Sequence, residues 1–210
     1  MTIEFLRAIA NHVSTIDPEI TTEGLCEKIV KPWTEKDYSS LTEVMAVRYT
    51  VNPHPVIKLN AVQSMGLSAN IFVSHAWKNK FLDLVEILEV FHAQAMAEKG
   101  LYSEERILYW IDLFVCNQWN HLNFKKEWFS SVLESTIQDI GHTVFILNDF
   151  SETIPLTRLW CVFELYCTIQ TNTKLSVLLK PDVEEKVGEV CLHSHLLKTC
   201  LLQYHENTFI

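Results

Sequence analysis

Glycine is scarce in this chain. Five occur in 210 residues, at Gly24, Gly66, Gly100, Gly141 and Gly188, and no two lie close together. That spacing excludes the G-x-G-x-x-G turn of dinucleotide-binding folds and the G-x-x-x-x-G-K-[ST] phosphate loop. G-x-S-x-G is absent as well, which removes the strained nucleophile elbow of the α/β hydrolases. Any nucleotide bound here is held by other means. Basic residues are also in deficit: 17 Lys and Arg against 26 Asp and Glu leave a net charge of −9. Nucleic acid is therefore not an expected partner, because binding a phosphate backbone needs a basic patch. No apolar run approaches the roughly 20 residues of a membrane-spanning helix, so no membrane partner is expected. The opening MTIEFLRAIANHVSTIDPE carries early acids and lacks the basic start, apolar centre and small-residue cleavage site of a signal peptide. The six cysteines (Cys26, Cys116, Cys161, Cys167, Cys191 and Cys200) form no C-x-x-C pair. Free thiols in a reducing, cytoplasmic setting are the expectation.

What is present suffices for a core. The chain is 48% hydrophobic and 20% charged, the balance of an ordinary globular protein, and long enough for one domain with an extension or for two small ones. Residues 1–66 read as a mainly helical N-terminal extension. A helix over 2–13 sets Ile3, Leu6, Ile9 and Val13 on one stripe. Thr21, Thr22 and Glu23 cap a second helix reaching Val30, which Pro32 should end. YTVNPHPVIKLNAVQSMG, with two prolines and a glycine, reads as a connection, and a boundary falls near residue 66.

From 67 to 210 the pattern alternates strand and helix. Strands are expected at 70–74, 107–114, 143–148 and 174–179. Helices are expected in LVEILEVFHAQAMA, in FSSVLESTIQDI up to Gly141, in LTRLWCVFELYCTIQ and in VGEVCLHSHLLKTCLLQY, with NTFI as a short edge strand. Strands separated by helices of this length imply βαβ units and a parallel sheet of the α/β class.

In such a sheet, ligands bind beyond the carboxyl ends of the strands, where strand order reverses. The first strand runs into Ser74, His75, Ala76 and Trp77; the second contains Asp112 and runs into Cys116, Asn117, Gln118 and Trp119; the third runs into Asn148 and Asp149. The following helix carries Arg158, Trp160, Cys161 and Glu164. Aromatic faces, amides, a histidine and carboxylates then converge on one edge, the composition of a nucleotide-sized polar pocket. Glu164 lies in L-W-C-V-F-E-L-Y-C, a helix apolar nearly all round and so expected to be largely buried. A carboxylate there needs a partner or a purpose. The plain alternatives are an ion pair with Arg158 or Lys174, or a solvated stripe.

These blocks carry a resemblance. R-L-W-C-V-F-E-L resembles the S-x-W-C-x-x-E-L helix of TIR domains, with Arg158 in the serine position. I-F-V-S-H-A-W resembles the first TIR strand, W-I-D-L-F the second with its aspartate at Asp112, and H-T-V-F-I-L-N the third. The resemblance covers about residues 68–180 and keeps the family's order. It is nearest to a TIR-like branch with S-H-A-W, W-I-D-x-F-x-x-N-Q and R-x-W-C-x-x-E blocks. It implies a flavodoxin-like fold for 67–210 and one of two roles. Many TIR domains cleave NAD+ to nicotinamide and ADP-ribose or a cyclic form, in immune or cell-death signalling, using the Glu that matches Glu164. Others only assemble with further TIR domains. Homo-oligomers through TIR-like contacts are implied either way. The chain departs from the family in the bulky, glycine-free FVCNQWNHLNFKKEW after the second strand, and in His75–Trp77 after the first.

The chemistry suits one carboxylate. Nicotinamide leaves NAD+ as a neutral molecule and needs no general acid, unlike the alcohol of a glycoside. The charge to be stabilised is the oxocarbenium-like ribose, which one anion can do electrostatically. No cofactor is then required, and NAD+ is the substrate. Ser74, His75, Trp77, Lys78, Asp112 and Trp160 are the candidate NAD+-contacting residues. Each has an ordinary alternative: the tryptophans as packing, His75 as a neutral hydrogen-bonding group, and Lys78, Asn79 and Lys80 as a solvated helix start. Cys191, His193, His195, Cys200 and His205 are zinc-type ligands in an unfamiliar spacing and read better as part of a helix. Cys116 or Cys161 with His75 lacks the third group of a thiol nucleophile site. A nucleotide sensor without turnover is a third possibility.

Overall fold

The computed structural model describes residues 1–48, 56, 68–99, 106–119, 126–148, 155, 158–181 and 183, with backbone alone at 99 and 126–130. The boundary near 66, Asp149, the final expected helix with its Cys and His residues, and the expected NTFI strand lie outside the described residues. The described chain runs α1 (Ile3–Ser14), α2 (Thr22–Leu25), a π-helical turn (Cys26–Val30), α3 (Lys31–Thr34) and α4 (Leu41–Arg48). Then come β1 (Ile71–Ser74), α5 (Phe81–Lys99), β2 (Tyr109–Trp110), α6 (Asp112–Val115), α7 (Lys126–Ile140), β3 (His142–Leu147), α8 (Leu159–Gln170) and β4 (Lys174–Leu179). The four strands form one all-parallel sheet in the order β2-β1-β3-β4. With helices against it, this is an α/β fold. No described helix is long and apolar enough to cross a membrane.

Strand periodicity decides which side chain meets which helix. Ile71 and Val73 of β1, with Val144 and Ile146 of β3, turn to one face. There they join a continuous apolar core with Ile3, Phe5, Leu6 and Ile9 of α1, and with Leu84, Val85 and Leu88 of α5. Phe72 turns to the other face, against Leu133 and Ile137 of α7 and Cys167 of α8. Phe145 and Leu147 pack there against Cys161 and Leu165. Ser74 follows Phe72 by two residues and therefore faces α8.

The N-terminal helices thus cover the α5 face of the sheet. Met1 also pairs with the β2 edge: its amine donates to the Tyr109 carbonyl at 2.9 Å, and the Tyr109 amide donates back to Met1 at 2.8 Å. Thr21 caps α2, its Oγ1 accepting from the Gly24 amide at 3.0 Å.

Two local expectations are corrected. Pro32 does not end the second helix, which continues into α3 with Pro32 in its first turn. The preceding π turn explains this: the Lys31 amide donates to the Cys26 carbonyl, five residues back, and this wider turn precedes the residue that lacks a donor. The second strand is only Tyr109–Trp110, not 107–114. Its ladder meets just Ile71 and Phe72. Asp112 then starts a helical turn, its Oδ1 accepting from the Leu113 amide at 2.7 Å. Asp112 is therefore a residue of α6, not of a strand. Short apolar runs do not distinguish a strand from a buried helical turn.

Candidate functional site

The chain passes from β1 outward to β2 and then back across to β3, so strand order reverses beside the carboxyl end of β1. Ser74, the last residue of that strand, is fully buried there. Its Oγ donates to Glu164 Oε2 at 2.5 Å. Glu164 is 3% exposed, so its carboxyl is sealed rather than solvated. It ion-pairs with neither Arg158 nor Lys174; a serine hydroxyl holds it instead. Burial pushes the Glu164 carboxyl well above the ordinary carboxylate range, and the nearby Asp112 charge acts the same way. The Ser74 hydrogen bond and the Arg158 charge oppose that rise only in part.

One turn further along α8, Thr168 Oγ1 donates to the Glu164 carbonyl at 2.8 Å and lies 2.9 Å from Thr143 Oγ1 of β3. Both threonines are fully buried. This pair fixes α8 on the sheet at the height that sets Glu164 beside Ser74.

Asp112 approaches from α6. Trp77 Nε1 donates to its Oδ2 at 2.9 Å. Burial pushes the Asp112 carboxyl up to about 6, against the Leu113 and Trp77 hydrogen bonds and the Arg158 charge. Gln118, nearly fully buried, closes α6 with its amide: Nε2 donates to the Asp112, Leu113 and Cys116 carbonyls at 2.9, 3.0 and 3.2 Å. The loop carrying Trp77 is itself clamped by the N-terminal region. The Glu23 amide donates to the Trp77 carbonyl at 2.9 Å, the Thr22 amide to Asn79 at 3.0 Å, and the Phe81 amide to Ile20 at 2.9 Å.

His75 is 5% exposed, and its carbonyl accepts from Cys161 Sγ at 3.4 Å. Burial, with Arg158 beside it, pushes the imidazole down to about 3, so it stays neutral. Burial likewise pushes the Cys116 and Cys161 thiols up to about 12, which removes either as a thiolate nucleophile.

Ser74, His75, Asp112, Arg158 and Glu164 are thus brought together, with Trp77 as the hydrogen-bond donor to Asp112. Lys78 is exposed on the loop. Trp160 lies one turn before Glu164, 38% exposed, with its ring 6.3 Å from that of Phe163. The expectation of a largely buried α8 holds only for its sheet-facing side, with Cys161, Glu164, Leu165, Cys167 and Thr168; Leu159 is 77% exposed and Tyr166 40%. Trp119 turns to the N-terminal helices, its Nε1 donating to Thr34 Oγ1 at 3.0 Å. Sequence reasoning missed two groups at this edge. Asp83, in the first turn of α5, accepts from Asn148 Nδ2 at 3.3 Å and pairs with Lys180 at 2.8 Å. The signal was a lysine directly after the fourth strand. Among the described residues no group of three or more His, Cys, Asp or Glu is placed to hold a metal ion.

Compared with protein-family models, curated proteins and solved structures, the chain matches none of them.

Proposed function

We propose that this chain is a TIR-like NAD+ glycohydrolase with Glu164 as its catalytic carboxylate. The observation that carries the reading is the buried Ser74–Glu164 pair at the carboxyl end of β1, where strand order reverses, with Asp112 beside it. The order β2-β1-β3-β4 is that of a flavodoxin-like sheet and supports the same reading.

The bond that breaks joins the ribose anomeric carbon to the nicotinamide nitrogen. Its electron pair leaves with nicotinamide, which departs neutral. The ribose keeps the positive charge, and the Glu164 carboxylate stabilises it. Burial favours the protonated form of Glu164 in the resting, sealed site. A cationic nicotinamide riboside beside it favours the ionised form and releases that proton. Water then adds to the anomeric carbon and gives a proton to the carboxylate or to solvent, yielding ADP-ribose. Capture by an adenine nitrogen yields a cyclic product. Ser74 orients Glu164, and Trp77 holds Asp112. Self-association through TIR-like contacts is part of the proposal, as is a role in immune or cell-death signalling. Nicotinamide release per molecule should rise with protein concentration. Release absent at every concentration, together with no NAD+ binding by calorimetry, overturns the reading.

The burial of Glu164 favours a second reading, a non-enzymatic TIR-like adaptor in which the carboxyl is a structural acid. Under it, Glu164→Gln leaves self-association unchanged and NAD+ is not consumed. Binding of NAD+ without turnover marks a sensor instead.

A further inference from the structure

Arg158 is the N-cap residue of α8, a helix of 12 residues, and no side chain caps that helix end. An uncapped helix start presents amide donors and partial positive charge. The Arg158 guanidinium adds a full charge at the same place, and its Nη1 is buried with no hydrogen-bond partner among the described residues. No described carboxylate pairs with it, although its charge is felt by Asp112, Glu164 and His75. A second buried group is also unpartnered. His75 Nε2 has no hydrogen bond among the described residues, and this residue is more than nine-tenths buried. The Cys161 thiol bonded to the His75 carbonyl belongs to the first turn of α8, so His75 lies against the same helix end.

Leaving a buried guanidinium nitrogen, on a half-buried arginine, and a buried imidazole nitrogen unsatisfied is costly. A structural arginine in this setting would pair with Asp112 or Glu164, and it does not. A guanidinium donor without an acceptor, beside an imidazole nitrogen that donates in one of its two neutral tautomers, gathered at a helix N-terminus, matches an absent oxyanion. A guanidinium presents its donors in the fork that phosphate oxygens accept. Arg158 and Glu164 are six residues apart on α8, roughly 9 Å along the axis, a span that a ribosyl phosphate bridges.

We propose that Arg158, His75 Nε2 and the N-terminus of α8 form an oxyanion subsite that takes the phosphate or diphosphate of a nucleotide whose ribose lies at Glu164. The ribose assignment rests on the NAD+-cleaving reading; phosphate binding at Arg158 does not. The subsite gives the chain a phosphate grip that its lack of glycine loops denies it elsewhere.

Isothermal titration with inorganic pyrophosphate, ADP-ribose and NAD+ tests the proposal on the wild-type chain and on Arg158→Gln, Arg158→Lys and His75→Gln. Pyrophosphate and ADP-ribose should each bind the wild type with one-to-one stoichiometry. Arg158→Gln should weaken both by roughly 10- to 100-fold, the worth of a hydrogen-bonded charge, and Arg158→Lys should recover part of the loss. Without ligand, Arg158→Gln should melt at or above the wild-type temperature, because it removes a charged group with an unsatisfied buried nitrogen. If that variant loses its cooperative melting, the arginine is structural and the proposal falls. His75→Gln should retain binding, since its amide can still donate. ADP-ribose binding far above pyrophosphate binding assigns the subsite to a nucleotide; equal binding assigns it to free phosphates. The proposal is overturned if neither probe binds the wild type at millimolar concentration, or if Arg158→Gln binds both within twofold of it. Binding that depends on Arg158 without any nicotinamide release keeps this subsite and removes the glycohydrolase. Nicotinamide release with an unchanged KM in Arg158→Gln does the reverse.

Discussion

The two faces of the sheet are built from the same strands and differ in kind. On the α5 face, Ile71, Val73, Val144 and Ile146 meet α1 and α5 in one apolar core. On the α8 face the apolar contacts divide into two smaller clusters, with Ser74, Thr143, Thr168 and Glu164 buried along the same side. Alternation along β1 and β3 makes the division, since neighbouring residues go to opposite sides. Burial of apolar surface holds the first face together. The second face adds hydrogen bonds that hold polar groups in place at a smaller net gain and at risk if one partner is lost. Stability is concentrated on one side and candidate chemistry on the other.

The sharpest break in the comparison comes from the apolar face. Phe5 is fully buried, its ring 5.4 Å from Phe114 and edge-on to it. Phe5→Ala should cost about 3–5 kcal/mol, read from urea unfolding, with little change in any ligand affinity per folded molecule. A loss below about 1 kcal/mol contradicts a core shared by the N-terminal helices and the sheet.

On the polar face, Ser74→Ala should cost roughly 1–3 kcal/mol, because it strips Glu164 of its hydrogen bond. The same change in a Glu164→Leu background should cost much less. Equal costs in both backgrounds show that the pair is not coupled. Thr168→Val should cost about 1 kcal/mol and loosen α8, since Thr143 Oγ1 loses its partner.

A pH dependence follows from Asp112. The Asp112 carboxyl has an ordinary value of 3.8 and is raised to about 6 in the fold. Between those values the folded chain keeps a proton that the unfolded chain has lost. Its contribution therefore falls as pH rises through that window and levels off above it. Asp112→Asn removes the dependence, so its stability relative to wild type should climb from acid to neutral pH. A flat difference across the window contradicts a raised Asp112.

Much of this arrangement was legible in the residues. Apolar runs separated by helices announced a parallel sheet, because buried parallel strands are continuous in hydrophobicity. The stripe of α1 was plain in Ile3, Leu6, Ile9 and Val13. Pro32 misled because a π turn five residues long accommodates it, and nothing in CEKIV signals that turn. The second strand was overextended because LFV is equally apolar in a helical turn, and the turn is held by bonds to the Ile111 and Asp112 carbonyls that apolarity does not announce. The convergence of Ser74 and Glu164 followed from where parallel strands end. Their direct hydrogen bond did not, since it depends on the parity of β1 and on the Thr143–Thr168 contact that sets the height of α8.

The most direct measurement is nicotinamide release from NAD+ by the purified chain at low and high concentration, beside Glu164→Gln and Glu164→Ala. The account predicts release by the wild type. It predicts a loss of at least about 10²- to 10³-fold in both variants, the scale of removing one group that stabilises transition-state charge. Both variants should still melt cooperatively, Glu164→Ala at a lower temperature because it leaves the buried Ser74 hydroxyl without this partner. Release that persists in folded Glu164→Ala contradicts the assignment of the carboxylate. The absence of release from the wild type at every concentration contradicts the enzyme itself.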